Sequence, residues 1–232
     1  MMRGDPDTYS VPEDVLLPAA VNVILAALEP LLTPERRARI DEVIGARCTA
    51  VTAVLDGLVD PHNVSAVLRS ADAFGVQHVH VIQGSEPFLA TTRIAQGADR
   101  WVDVIRHATS AACVRALRAS GHRIFVASME GAVAPEALAH EPRVAIVFGN
   151  EHSGVSQELR DLADGTYAIP MCGFVQSLNV SVAAAISLFS AMRGRPGDLD
   201  PEAALQLRAR YVFKSVPQAE AIVDEYLRRQ ES

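Results

Sequence analysis

Three segments of this chain combine residue types that could bind a ligand and act on it. DPHNVSAVLRSADAFG, residues 60–75, places Asn63 and Arg69 less than two helical turns apart on one predicted helix. VAIVFGNEHSGVS, residues 144–156, is an apolar run followed by glycines, an amide and a carboxylate. PMCGFVQSLNVSVAAAISLF, residues 170–189, sets turn formers and amides directly before an apolar run. Such groups can orient a polar ligand and hold or move a proton.

The second segment resembles a phosphate-binding loop in its glycine spacing only. GNEHSGVS has Val155 where a nucleotide-triphosphate site needs lysine, and the chain's one lysine is Lys214. The spacing therefore argues against a nucleotide triphosphate. Gly149 and Gly154 would still let a ligand approach backbone N–H groups. A plain strand–turn–helix connection explains the same letters.

The third segment predicts a long polar loop and then a helix that begins near Leu178 or Asn179. Ser177 and Asn179 are N-cap types, and the alanines at 183–185 would leave one helix face thin for close packing. A loop this rich in polar groups favours a binding role. The alternative is an ordinary capped helix, just as the first segment could be a capped helix with a surface arginine.

Short β-rich runs alternate with amphipathic helical stretches from about residue 51. This alternation predicts an α/β fold with a mostly parallel sheet and helices on both faces. Ligands in such folds bind at the carboxyl ends of the strands, where the three segments begin or end. The predicted strands are TAVLDGL, HVHVI, WVDVI, RIFVAS, VAIVFG and TYAIP.

Composition indicates a globular protein whose positive charge is almost entirely arginine. Apolar residues make up 49%, charged residues 21%, and the formal charge is −7, which argues weakly against a nucleic-acid partner. Arginine forks suit phosphates, however, so a local patch could still bind RNA. No apolar run approaches the length of a membrane span. The widely spaced Cys48, Cys113 and Cys172 suggest reduced thiols in a cytoplasm, and the seven histidines suggest no metal site. His78 and His80 are expected to be solvated or half-buried.

Taken in order, the three segments resemble the motifs of the SpoU/TrmH family of RNA 2′-O-ribose methyltransferases. NVSAVLRSADAFG resembles the first motif, VFGNEHSGVS the second and IPMCGFVQSLNVSVAAAISLF the third. The resemblance covers about residues 33–195. PERRARIDEV ahead of the catalytic domain, and RGRPGDLDPE and YLRR behind it, are similar to the branch that methylates the D-loop guanosine of tRNA, guanosine-18.

The resemblance implies a fold, a cofactor and a partner that periodicity cannot show. It implies a deep trefoil knot near the carboxyl end of the catalytic domain, S-adenosylmethionine as methyl donor, and a homodimer. The implied cofactor contacts are Ala127, Phe148, Gly149, Asn150, Ile169, Met171, Ser177 and Leu178.

The resemblance also implies a catalytic set around Arg69. Arg69 is expected to touch the ribose 2′-hydroxyl or an adjacent phosphate. Arginine side chains stay protonated in proteins, which makes a direct role as base a weaker expectation. An ion pair between Glu151 and Arg69 is expected to fix the guanidinium. The implied catalytic residues are Arg69, Asn63, Glu151, Ser177 and Asn179.

The organisation expected from these features has four parts. They are an acidic extension over residues 1–32, an RNA-contacting helix over 33–50, the knotted methyltransferase domain over 51–195 and a helical extension over 196–232. The arginines expected to contact RNA are Arg36, Arg37, Arg39, Arg193 and Arg195. A ribosomal RNA or another tRNA position as substrate stays open, as does a dimeric RNA- or cofactor-binding protein without catalysis.

Overall fold

The computed structural model describes residues 17–82, 100–129 and 131–230. These residues form two compact units. One unit covers Thr49–Arg195, and the other joins the described parts of Glu13–Cys48 and Pro196–Ser232. Residues 1–16, the first half of the expected acidic extension, lie outside the described part.

A six-stranded sheet forms the centre of the first unit, in the order β3-β2-β1-β5-β4-β6. β1 pairs with β5, β5 with β4, β4 with β6, and β2 with β3, all in parallel. The α/β prediction is therefore confirmed. The strands are β1 Cys48–Asp56, β2 Val76–Ile82, β3 Asp103–His107, β4 Arg123–Ala127, β5 Val144–Gly149 and β6 Gly165–Tyr167.

The central strands are buried on both faces because helices cover them. Every residue from Val144 to Phe148 is buried. One face packs against the helices Ser110–Ala119 (α4) and Gln157–Leu162 (α5) through Leu117 and Leu159. The helices Pro61–Ala73 (α3) and Val180–Met192 (α6) pack against each other and contact β2 and β5 respectively. A continuous apolar strand is what a parallel sheet with two covered faces requires.

The predicted helix starts agree with the structure where a capping side chain stands at the expected place. Asn179 caps α6 by accepting from the Ser181 backbone N–H at 2.8 Å. The cap of α3 is Asp60, which accepts from His62 N–H at 2.8 Å. The predicted strand TYAIP is too long, because the ladder ends at Tyr167.

The second unit is helical. It contains Val21–Leu28 (α1), a 3-10 turn, Pro34–Gly45 (α2), Pro201–Ser215 (α7) and Ala219–Gln230 (α8). Arg208 of α7 ties the unit together through ion pairs with Glu29 and Asp41. Thr33 caps α2 as predicted, accepting from Arg36 N–H at 3.2 Å. No helix in the described ranges is long and apolar enough to span a bilayer.

Candidate active site

Residues 149–156, here called the closed loop, are held by bonds within the loop and to the end of β1. Asn150 N–H donates to Gly154 C=O at 3.0 Å, and Gly154 N–H returns a bond to Asn150 C=O at 2.9 Å. The Asn150 side chain donates to Gly57 C=O at 2.8 Å. Asp56 accepts from Ser156 N–H at 2.7 Å. The closed loop is therefore ordered before any ligand arrives.

Glycine is required at two positions of the closed loop. A Cβ on Gly149 would lie 2.2 Å from the Gly154 carbonyl carbon and from the Val155 nitrogen. Gly154 has φ +70°, in the left-handed region that favours glycine. The glycines predicted to admit a ligand thus serve first to let two backbone segments touch.

Glu151 at the tip of the closed loop is held by Asn63 from the first segment. Asn63 Nδ2 donates to Glu151 Oε1 at 2.7 Å and to Asp60 Oδ2 at 3.4 Å. The expected Glu151–Arg69 ion pair is not formed among the described residues. The Asn63 amide takes that place because it is buried at the start of α3, on the side of the helix that faces the closed loop.

Residues 169–178, here called the open loop, have the opposite character. Among the described residues, none of these ten makes a hydrogen bond to another protein group. Most are exposed, and Phe174 has an exposed fraction of 109%. Backbone donors and acceptors in the open loop are consequently available to a ligand. Its C-terminal end is fixed by the Asn179 cap.

One cavity of about 480 Å³ lies between these two loops and the end of β4. The volume is within the range of small-molecule sites, and apolar side chains alternate with a few polar ones around it. All eight residues expected to contact the cofactor line this cavity, together with Glu151 and Asn179. Its lining is Ala127, Ser128, Met129, Phe148, Gly149, Asn150, Glu151, Gly154, Tyr167, Ile169, Met171, Ser177, Leu178, Asn179, Val180 and Ala183.

Arg69 is not part of this lining. α3 begins at the carboxyl edge of the sheet and runs away from it, so Arg69 lies about 9 Å further along the axis than Asn63. The side chain is exposed and makes no hydrogen bond or ion pair among the described residues. Within one chain, the Arg69 guanidinium therefore lies away from the cavity.

The five arginines expected to contact RNA differ in how their guanidinium groups are used. Arg195 donates to five backbone carbonyls, those of Ala191, Leu138, Ala139, Glu141 and Pro142. That coordination differs from the expected phosphate contact and makes Arg195 a structural clamp, which the sequence spacing could not reveal. In the second unit, Arg36 donates to Ser215 Oγ at 3.0 Å and the exposed Arg39 pairs with Glu42 at 2.6 Å. Arg37 is half-buried and Arg193 is exposed.

Two histidines form a buried pair away from the cavity. His80 Nδ1 and His107 Nε2 lie 2.8 Å apart in nearly coplanar rings, with Cys113 close by. The ring centroids are 5.1 Å apart, so the rings meet edge to edge and share an N–H···N bond. His80 is buried, contrary to expectation, whereas His78 is half-buried as expected. Burial lowers the pKa of both His80 and His107.

Asp56 and Asp60 are the site residues that the sequence reasoning missed. Asp60 carried a recognisable signal, since an acidic residue directly before Pro61 is a common N-cap arrangement. Asp56 carried none, because its partner Ser156 is 100 residues away in the chain.

Comparison with known proteins agrees with the geometry. The model of the SpoU rRNA Methylase family matches residues 50–189. The tRNA (guanosine(18)-2′-O)-methyltransferase of Escherichia coli K12 is 38% identical over 165 residues, 71% of this chain and 72% of that protein. The 23S rRNA (guanosine-2′-O-)-methyltransferase RlmB of Vibrio parahaemolyticus is 38% identical over 169 residues, 67% of this chain and 64% of that protein.

Two solved structures are similar in fold and sequence. The A. aeolicus TrmH/SpoU tRNA modifying enzyme superposes with a TM-score of 0.70 at 28% identity, covering 79% of this chain and 98% of that one. The methyltransferase AviRb of Streptomyces viridochromogenes, in complex with the cofactor AdoMet, has a TM-score of 0.57 at 26% identity, covering 66% of this chain and 60% of that one. The chain belongs to the SpoU family and is a 2′-O-ribose methyltransferase of RNA that uses S-adenosylmethionine.

Proposed function

We propose that the protein methylates the 2′-hydroxyl of guanosine-18 in the D-loop of tRNA. The observation that carries the proposal is the convergence of three distant segments, through Asn63, Glu151 and Asn179, on one cavity. The choice of guanosine-18 is supported by the E. coli relative, which bears that activity in its name. We propose a cytoplasmic location because both substrates, tRNA and the methyl donor, are present in the cytoplasm.

The residues around the cavity suit S-adenosylmethionine, whose chemistry is the supply of an electrophilic methyl group on a sulfonium. Phe148, Ile169 and Leu178 offer an apolar slot for adenine. The unpaired backbone groups of the open loop can recognise the edge of that base. Glu151 adds a negative charge at the cavity, which favours a cationic ligand. Holding both reactants in line is worth up to about 7–11 kcal/mol in favourable cases.

We further infer a trefoil knot in the first unit. The support is the way residues 131–133 lie against the end of β6: a Cβ on Gly131 would come within 2.0 Å of the Tyr167 carbonyl carbon. Ala168 N–H donates to Val133 C=O at 3.0 Å. Arg195, after α6, binds the carbonyls of residues 138–142. A crystal structure in which the chain that follows β6 does not pass through the loop formed by this segment would refute the knot.

A homodimer is the assembly that the exposed face of α6 supports. Val182, Ile186 and Phe189 follow one another at i, i+4 and i+7 and form an apolar stripe with exposed fractions of 47%, 37% and 58%. A stripe of this kind on a surface helix marks an interaction site, and a two-fold dimer would bury two copies at once. Sedimentation analysis of Ile186→Glu, against the wild type, tests whether the stripe holds the dimer.

The dimer would also explain the position of Arg69. The guanidinium lies away from its own cavity, on α3, and α3 packs against the striped helix through Phe74 and Phe189, whose ring centroids are 5.6 Å apart. We place Arg69 in the cavity of the partner, where it contacts the ribose 2′-hydroxyl or the adjacent phosphate. Arg69→Ala should then reduce methyl transfer by about 10²–10⁴-fold and leave S-adenosylmethionine affinity within a few-fold.

Mixed dimers separate a site shared between subunits from a site within one chain. Arg69→Ala and Glu151→Gln should each keep only residual activity as homodimers. In a dimer of one variant with the other, one cavity regains both an intact Glu151 and the partner's Arg69. Co-expressed variants should therefore recover about a quarter of wild-type activity. No recovery in verified mixed dimers would place Arg69 in its own subunit's site.

The arginines of α2 together with Arg193 are our candidates for tRNA docking. Arg39 and Arg193 are exposed and can reach phosphates without breaking a buried contact. Removing a phosphate contact should weaken tRNA binding and reduce the salt slope by about one per contact. Arg39→Gln is tested by titrating tRNA at several salt concentrations, with Arg229→Gln, an exposed and ion-paired arginine, as a control.

Ribosomal RNA is the second candidate substrate because the Vibrio relative acts on 23S rRNA. The decisive assay transfers a labelled methyl group to a tRNA transcript, to the same transcript with a 2′-deoxy sugar at position 18, and to a 23S fragment. Our proposal requires labelling of the first alone. Equal labelling of the deoxy transcript, or preference for the 23S fragment, would overturn the assignment to guanosine-18.

A further inference from the structure

Asp56 stands at the junction between the sheet and the closed loop. It is the last residue of β1, opposite Gly149 of β5 in the sheet register. The residue has an exposed fraction of only 7%, and its side-chain Oδ2 accepts from the Ser156 N–H at 2.7 Å. A buried carboxylate with a backbone donor forms a charge-assisted bond, roughly twice as strong as a neutral one.

This bond fixes the C-terminal end of the closed loop, whereas the N-terminal end is fixed by another. Asn150 donates to Gly57 C=O at 2.8 Å, one residue beyond Asp56. Two consecutive residues of β1 and its turn thus hold both ends of the closed loop. Glu151 projects from between these anchors to meet Asn63 at 2.7 Å.

We propose that Asp56 is a positioning residue for methyl transfer, which acts by holding the closed loop so that Glu151 stays at the cavity and within reach of Asn63. The expected effect on methyl transfer rests on the proposed function, whereas the expected effect on the position of the closed loop rests on the contacts alone. A carboxylate suits the position because it can accept from Ser156 without needing a donor of its own to be satisfied in the buried space.

Three variants test the bond from both sides. Asp56→Ala removes the acceptor, Asp56→Asn keeps one, and Ser156→Pro removes the donor while leaving Asp56 in place. Ser156 has φ −59°, a value that proline adopts. Thr52→Val is the matched control, since Thr52 is also buried on β1 but bonds His78 C=O at 2.6 Å, away from the closed loop.

Loss of the bond should misplace Glu151 and lower kcat by up to about 100-fold, with a smaller effect on the KM for tRNA. Asp56→Asn should recover most of the rate, and Thr52→Val should keep the wild-type kcat even if it melts earlier. In the Glu151→Gln background, Asp56→Ala should add little further loss, because both changes remove the same contribution. Additive losses, or a wild-type kcat in Asp56→Ala and Ser156→Pro alike, would overturn the proposal.

Hydrogen exchange of the same variants keeps the inference separate from the choice of RNA. Asp56→Ala should accelerate exchange of the backbone N–H groups of residues 150–156, and Thr52→Val should not. If the wild type proved inactive on every RNA tried, that result would end the proposed function and leave this measurement to decide the positioning role. Unchanged exchange at 150–156 in Asp56→Ala would refute it, whatever the activity.

Discussion

The closed loop and the open loop border the same cavity but are built in opposite ways. The closed loop is tied to itself and to β1 through Asn150 and Asp56, and its glycines bring backbone segments into contact. The open loop makes no internal hydrogen bonds among the described residues and exposes Phe174 to solvent. One side of the site is preorganised, and the other leaves polar backbone groups unpaired for a ligand to bind.

The difference matters for how binding energy is used. A preorganised group contributes to catalysis without an ordering penalty at the moment of reaction, which suits Glu151 and Asn63. An unpaired loop must be ordered by its ligand and loses some affinity to that ordering. In exchange, every backbone donor it carries can be directed to the ligand. Substitutions in each loop separately test this difference.

The largest difference in effect is expected when a methyl group is added to one glycine of each loop. A Cβ on Gly149 collides with the backbone of Gly154 and Val155, whereas a Cβ on Gly173 has nothing within 4 Å. Gly149→Ala should abolish cofactor binding and lower the free energy of unfolding by about 1–3 kcal/mol, since the backbone cannot yield like a side chain. Calorimetry with S-adenosylhomocysteine and urea unfolding measure both quantities.

Gly173→Ala is the paired control for that change. Gly173 does not have a positive φ, so alanine should leave stability unchanged or slightly raised. Cofactor affinity should stay within a few-fold if the ligand contacts the backbone on the other side. Equal damage from the two substitutions would mean that the open loop is as tightly constrained as the closed loop, and the contrast would fail.

The sequence predicted the contents of the site better than the bonds that build it. Asn150, Glu151, Ser177 and Asn179 were found because they lie in contiguous motifs, and all four line the cavity. Asp56 was not found, since a single aspartate at a strand end has no local signature when its partner is distant in the chain.

The arginines also show what the sequence alone could not predict. Arg195 and Arg193 look equivalent in the sequence, yet one guanidinium is enclosed by carbonyls and the other is exposed. The strand order was equally out of reach, because alternation indicates a parallel sheet without saying which strands are neighbours. Local patterns therefore gave the elements and the candidate residues, and long-range contacts decided what each residue does.

An intermediate effect is expected when S-adenosylhomocysteine, which S-adenosylmethionine becomes after methyl transfer, orders the open loop. Saturation with S-adenosylhomocysteine should slow hydrogen exchange across residues 169–178, by as much as about 100-fold where N–H groups bind the ligand at a concentration 100 times Kd. Residues 150–156 should change little, since most of their bonds already exist. Mass spectrometry with and without the ligand gives both values, and protection confined to 150–156 would reverse the assignment of the two sides.

The smallest effect should come from pH, which changes the stability of the sheet that carries both loops. Burial lowers the pKa of His80 and His107 below 6.5, so between that value and their folded pKa the unfolded chain binds more protons. Stability should therefore be highest above pH 6.5 and decline as the pH falls, by at most about 1.4 kcal/mol per unit for each histidine. His122, whose pKa burial also lowers, adds to the same trend.

The pH effect is measured by urea unfolding at pH 7.5, 6.5 and 5.5, with His107→Gln beside the wild type. The variant cannot take up a proton at this position, so its stability should fall less steeply below pH 6.5. Identical slopes for the two proteins would show that the histidine pair is not what makes the sheet acid-sensitive. A flatter slope, combined with unchanged S-adenosylhomocysteine affinity at pH 7.5, would separate the stability of the sheet from the construction of the site above it.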